Sequence, residues 1–132
     1  MLPYDQLKKI VYGGDYNPEQ WDEATWEEDM RLFKLAGIDI LTLNVFSWAA
    51  IQPSEDTYDF DRLDRIMELV RKNGMKVCMA TSTGAHPAWM AKRHPDILRV
   101  DLEGRKRKIC GRLNSCPNSP TYRTYAPRLA EK

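Results

Sequence analysis

The sequence predicts an α/β fold carried on a parallel sheet, and three observations predict it. Short runs rich in Ile, Val and Leu recur at intervals of about 30 residues, the length of one strand-plus-helix unit. Between them lie segments whose apolar residues repeat at three and four, the period of an amphipathic helix. The second and third runs are apolar almost throughout, as strands covered on both faces are.

Taken in order, KKIVYGGDY (residues 8 to 16) reads as a first strand ended by Gly13 and Gly14, where the backbone is freed. A helix follows, with Trp26, Met30 and Phe33 on one face, Glu27, Glu28 and Asp29 in its early turns and Gly37 closing it. IDILTLNVFSW (38 to 48) is the second strand. After a loop holding Pro53, Ser54 and Glu55, the run FDRLDRIMELVRKNG sets Leu63, Ile66, Met67 and Val70 at helical spacing, with Asn73 and Gly74 as a stop signal. MKVCMATSTG (75 to 84) is the third strand, and PAWMAKRHP (87 to 95) a short helix. RVDLEGRKRKI reads as two extended arms about a Glu103-Gly104 turn. Ser119 and Pro120 read as the cap and first turn of a last helix, which Pro127 should kink or fray by removing a backbone donor.

Composition narrows the function classes. At 132 residues, 42% of them hydrophobic and 30% charged, the chain holds one core at most. Twenty basic residues against 19 acidic ones leave a net charge of +1, with no field to draw nucleic acid or an anionic membrane. No run approaches the roughly 20 apolar residues of a membrane span, and the first residues lack a secretory apolar segment, so a cytoplasmic location is expected. Cys78, Cys110 and Cys116 are an odd count, which argues for reduced thiols over a disulfide framework. Cys78 and Cys110 are expected to be small buried side chains.

Two α/β architectures compete, and the strand ends separate them. A doubly wound sheet announces its ligand with a glycine-rich phosphate loop, and GGDYNPEQW lacks that spacing. A (β/α)8 barrel gathers its site from the carboxyl ends of several strands. Here those ends carry Asp15, Tyr16, Asn17 and Glu19; Asn44, Ser47 and Trp48; Thr81, Ser82, Thr83 and His86. Amides, hydroxyls, carboxylates and flat rings suit a sugar, whose hydroxyls need polar partners while its C–H face lies on an aromatic. His86 is expected near the pocket mouth and His94 in a structural role. Trp48 either floors the sugar site or packs under the second helix. The basic run Arg105 to Lys108 is read as a solvated turn balanced by Asp101 and Glu103.

The stretches YGGDYNPEQW, EEDMRLFKLAGIDILTLNVFSWAAIQPSEDTYDFDRLDRIMELVRKNGMKVCMAT, HPAWMAKRHPDILRVDLEGRKRK and GRLNSCPNSPTYR, in this order, resemble the amino-terminal part of family 42 glycoside hydrolases, the bacterial β-galactosidases. The likeness runs from residue 11 to about 126. It implies an incomplete (β/α)8 TIM barrel: the first three βα units and the start of a fourth, all within one domain portion spanning 1 to 132. It implies a retaining enzyme that acts on β-galactosides, whose two catalytic glutamates both lie beyond this chain, so that the fragment alone is inactive. Arg112 matches the family's galactose-contacting arginine, and Cys116 the first of four cysteines that hold a structural zinc in many members; the other three are absent here. The resemblance also implies a homo-oligomeric parent. The competing reading is a non-catalytic remnant that binds carbohydrate or a partner.

Overall fold

The computed structural model describes residues 9–107 and 115–132. The chain divides into two units, one running to Leu43 and taking in Asp61–Ala80, the other made of Asn44–Phe60 and Thr81–Lys132.

In the first unit three parallel strands lie in the order β1 (Gly13–Asp15), β2 (Ile40–Leu43), β3 (Lys76–Met79). Gly13 stands opposite Ile40 and Ile40 opposite Lys76. Helix α1 (Glu23–Leu35) starts at Asp22, whose carboxylate accepts from the Thr25 amide at 2.8 Å. It packs with α3 (Asp61–Lys72) over one face of the sheet, burying Trp26, Met30, Ile66 and Val70 against Leu41 and Leu43. Trp26 is fixed twice, by its Nε1–H to the Pro18 carbonyl at 2.8 Å and by the Arg62 guanidinium over its ring. Helix α3 stops as its sequence predicts: the Asn73 side chain donates to the Leu69 carbonyl and Gly74 takes φ +74°.

The strands are shorter than their apolar runs. The first begins at Gly13, because Lys9 and the Tyr12 amide hold the Asp39 carboxylate at 2.7 and 3.2 Å. Gly13 and Gly14 belong to the strand instead of ending it, and Gly13 is there for space: a Cβ would stand 1.7 Å from the Ile40 carbonyl oxygen. The second strand ends at Leu43, where Asn44 turns to φ +70°, and the third at Met79, with Ser82 at φ +59°. Burial on both faces is likewise corrected. Leu41 and Leu43 are buried while Ile40 and Thr42 are only half-buried, and no strand pairs with the outer edge of β1 or β3 among the described residues. Cys78 on β3 is consequently exposed, not a buried side chain.

The second unit is mainly helical. Trp48 opens a one-turn helix, α2 (Trp48–Ile51), where a strand was expected. Helix α4 (Ala88–Arg93) runs into a 3-10 turn at Pro95–Ile97. The two arms then pair as read, Val100 with Lys106, around Gly104 at φ +79°. Arg105 meets both Asp101 and Glu103, at 2.9 and 3.0 Å, as the balanced turn requires. Lys108 and Cys110 lie outside the described residues. Ser119 caps α5 (Pro120–Ala130), accepting from the Tyr122 amide at 3.1 Å. Pro127 does not interrupt α5 despite its missing donor; the helix is assigned without a break to Ala130, and the Glu131 amide bonds the Pro127 carbonyl at 3.0 Å.

Candidate functional site

The polar residues that follow the strands separate into those that hold the fold and those that remain available. In the first unit Tyr16 turns inward: its hydroxyl donates to Asp29 at 2.8 Å and its ring meets Phe33 edge-on. Burial, reinforced by the Asp29 carboxylate, raises its ionisation well above the ordinary tyrosine range. Tyr16 is thus a core residue, not a sugar platform. Asp15 is exposed, whereas Asn17 carries a buried Oδ1 with no hydrogen-bond partner among the described residues.

In the second unit Asn44 and Ser82 both adopt left-handed backbone, and the Ser82 hydroxyl donates to the Asn44 carbonyl. Non-glycine residues in that region cost on the order of 1 kcal/mol each and persist where the surroundings enforce them. They mark the points where the chain turns after β2 and β3. Thr81 and Thr83 pair their hydroxyls at 3.0 Å.

Trp48 resolves in favour of packing. It is fully buried, donates Nε1–H to Gln52 Oε1 at 2.9 Å and lies against Tyr122 at 6.2 Å between ring centres. Gln52, also fully buried, passes the linkage on: its Nε2 donates to the Glu55 carbonyl at 2.9 Å and its own carbonyl accepts from Trp89 at 2.8 Å. The Glu55 carboxylate gathers the Tyr125 hydroxyl, Arg93 at 2.5 Å and His94 at 3.1 Å. These donors, Tyr125 foremost, hold the Glu55 carboxyl down to about 2, and burial with Glu55 beside it pushes Tyr125 up to about 12. His94 accordingly has the structural role expected. No local signal announces this cluster, because its members stand 38, 39 and 70 positions from Glu55.

His86 is different. It is buried to 8% exposure, its Nδ1 pairs with Ser115 Oγ at 2.7 Å, and Nε2 meets no partner among the described residues. Burial lowers its basicity below the ordinary histidine range. One ring nitrogen is therefore fixed and the other is left able to make one hydrogen bond.

Arg112 lies outside the described residues. Cys116 is a free, half-buried thiol whose amide donates to the Ile97 carbonyl at 2.7 Å. Among the described residues no three His, Cys, Asp or Glu side chains gather to hold a metal ion. By themselves the described residues do not form a tetrahedral thiolate site.

Known proteins resemble this chain in sequence and in fold. The profile of a glycoside hydrolase family, described as beta-galactosidase, matches residues 15–132. Beta-galactosidase BgaA of Planococcus sp. (strain 'SOS Orange') is 66% identical over 128 residues, which are 96% of this chain and 19% of that protein. Beta-galactosidase LacZ of Heyndrickxia coagulans is 50% identical over 125 residues, 95% of this chain and 19% of its own length. The crystal structure of beta-galactosidase from Bacillus circulans sp. alkalophilus superposes with a TM-score of 0.93 at 68% identity, over 96% of this chain and 19% of that one. The chain thus spans about a fifth of the length of the relatives it matches.

Proposed function

The chain belongs to glycoside hydrolase family 42, and from that premise we propose that it serves a β-galactosidase, as the opening arc of a (β/α)8 barrel that removes terminal β-D-galactosyl residues with retention. The observation that carries the reading is the match over residues 15–132 together with 66% identity to a named β-galactosidase. Three parallel strands with helices on one face, and no strand on either outer edge among the described residues, suit an arc that further strands would complete.

In this reading a glutamic acid protonates the departing glycosidic oxygen while a second glutamate attacks the anomeric carbon, the two carboxyls about 5 Å apart. Neither is supplied by residues 1 to 132. What this segment contributes is binding: Arg112 presents its planar fork to vicinal hydroxyls of the galactose. Cys116 supplies one thiolate to a structural zinc whose other ligands come from elsewhere. A metal closed by four such ligands would stiffen the fold and take no part in the hydrolysis. A cytoplasmic setting and a homo-oligomeric assembly complete the proposal; among the described residues no helix is long and apolar enough to cross a membrane.

The test is hydrolysis of a chromogenic β-D-galactoside by the protein encoded by the full reading frame, beside its Arg112→Ala variant. Turnover of the β-galactoside with a large loss of kcat/KM in the variant is expected. A full-frame protein that folds but leaves β-galactosides intact overturns the reading.

A further inference from the structure

Among the described residues, two side-chain polar atoms are buried without a hydrogen-bond partner, Asn17 Oδ1 and His86 Nε2. Both belong to segments that follow the carboxyl end of a strand, Asn17 after β1 and His86 after β3, where barrel enzymes assemble their sites. A buried polar group left unpaired is costly, and native proteins keep few of them. We propose that His86 is a specificity-determining residue for the sugar, its Nε2 reserved for one hydroxyl of the β-galactoside; this rests on the galactosidase reading above.

The ring is built for that use. Nδ1 is committed to Ser115 at 2.7 Å, which fixes both the orientation of the imidazole and the plane in which Nε2 points. If Ser115 donates to Nδ1, Nε2 carries the proton and donates; if Nδ1–H donates to Ser115, Nε2 accepts. A sugar hydroxyl satisfies either tautomer, since it both gives and takes a hydrogen bond, whereas a carboxylate or an ammonium satisfies only one. Nε2 is also closed to bulk water. A hydroxyl that completes it must therefore displace the atoms that cover the ring. The backbone around it is held as well: Ser82, four residues before, is buried, left-handed and bonded to the Asn44 carbonyl. A polar group on a braced support, unpaired without ligand, is what discrimination between a hydroxyl and its absence needs.

The experiment compares two substitutions in the full-frame protein. Asparagine places its amide near the position of Nδ1 and can keep Ser115, while glutamine reaches the position of Nε2. With p-nitrophenyl β-D-galactoside, His86→Asn is expected to lower kcat/KM about tenfold, the scale of one neutral hydrogen bond, at an unchanged unfolding temperature, and His86→Gln to recover most of that loss. Against a series of monodeoxygalactosides, one deoxy position should make the wild type and His86→Asn equal. His86→Asn as active as the wild type, or a deficit identical on every deoxy sugar, overturns the assignment. Inactive wild type is a failure of the galactosidase reading, seen before either variant is compared. Should the variants fold poorly, the galactose complex of the unaltered protein decides: Nε2 within about 3.2 Å of a sugar oxygen supports the assignment, and Nε2 paired to a protein atom refutes it.

Discussion

Replacing Gln52 by leucine should open the second unit locally, by an amount the structure sets. Gln52 is fully buried and its side chain serves two partners, accepting from the Trp48 indole at 2.9 Å and donating to the Glu55 carbonyl at 2.9 Å. Leucine has similar volume but neither function, so the substitution strands a buried N–H and a partly buried carbonyl. Each orphaned group costs about 1–3 kcal/mol, offset in part by the added apolar burial, which leaves a net loss of about 2–4 kcal/mol. The readout is hydrogen exchange of the Gln52 and Asp59 amides, which bond the Trp48 and Ile51 carbonyls at 2.8 Å each. At about 1.4 kcal/mol per tenfold change, these amides should exchange about 30- to 700-fold faster, while amides of β2 remain protected. Acceleration below about threefold would refute the claim that Gln52 braces this unit through its two side-chain bonds.

Two further outcomes follow from other contacts. Gly13→Ala puts a methyl 1.7 Å from the Ile40 oxygen and 2.7 Å from its carbon, both backbone atoms of the paired strand. The strands must part to admit it, at a cost of about 3 kcal/mol, read as a fall in the unfolding midpoint; a change within about 0.5 kcal/mol would contradict the close approach. For Glu55 the sign is that of a carboxylate whose folded value, about 2, lies below its ordinary 4.5. The stabilisation it gives is complete above about pH 5 and is lost as pH falls from there through about 2. The difference in unfolding temperature between the wild type and Glu55→Gln should therefore be level above pH 5 and close toward pH 2; a difference unchanged at low pH would count against the cluster.

What the sequence made legible was whatever depends on neighbours along the chain. Trp26 and Met30 at spacing four, the Asn73-Gly74 stop, the Gly104 turn and the Ser119 cap are all local chemistry, and each stands where it was read. The parallel order of three strands was legible from the alternation of periods. Strand length was not, because an apolar run does not show where pairing ends; Asn44 and Ser82 end it by backbone conformation. Gly13 looked like a terminator, since only the tertiary partner Ile40 reveals the shortage of space. Tyr16 looked like a ligand-facing ring until Asp29 and Phe33 were seen to claim it. His86 was noticeable by its place after the third strand, but its Ser115 partner, 29 residues away, was not.

The central claim is that this segment binds the sugar while the carboxylates that cleave it lie elsewhere in the protein. An activated 2-deoxy-2-fluorogalactoside traps the covalent intermediate of a retaining enzyme, and mass spectrometry of the digested full-frame protein locates it. Stoichiometric labelling on a glutamate outside residues 1 to 132 is expected. A labelled carboxylate inside that span would contradict it.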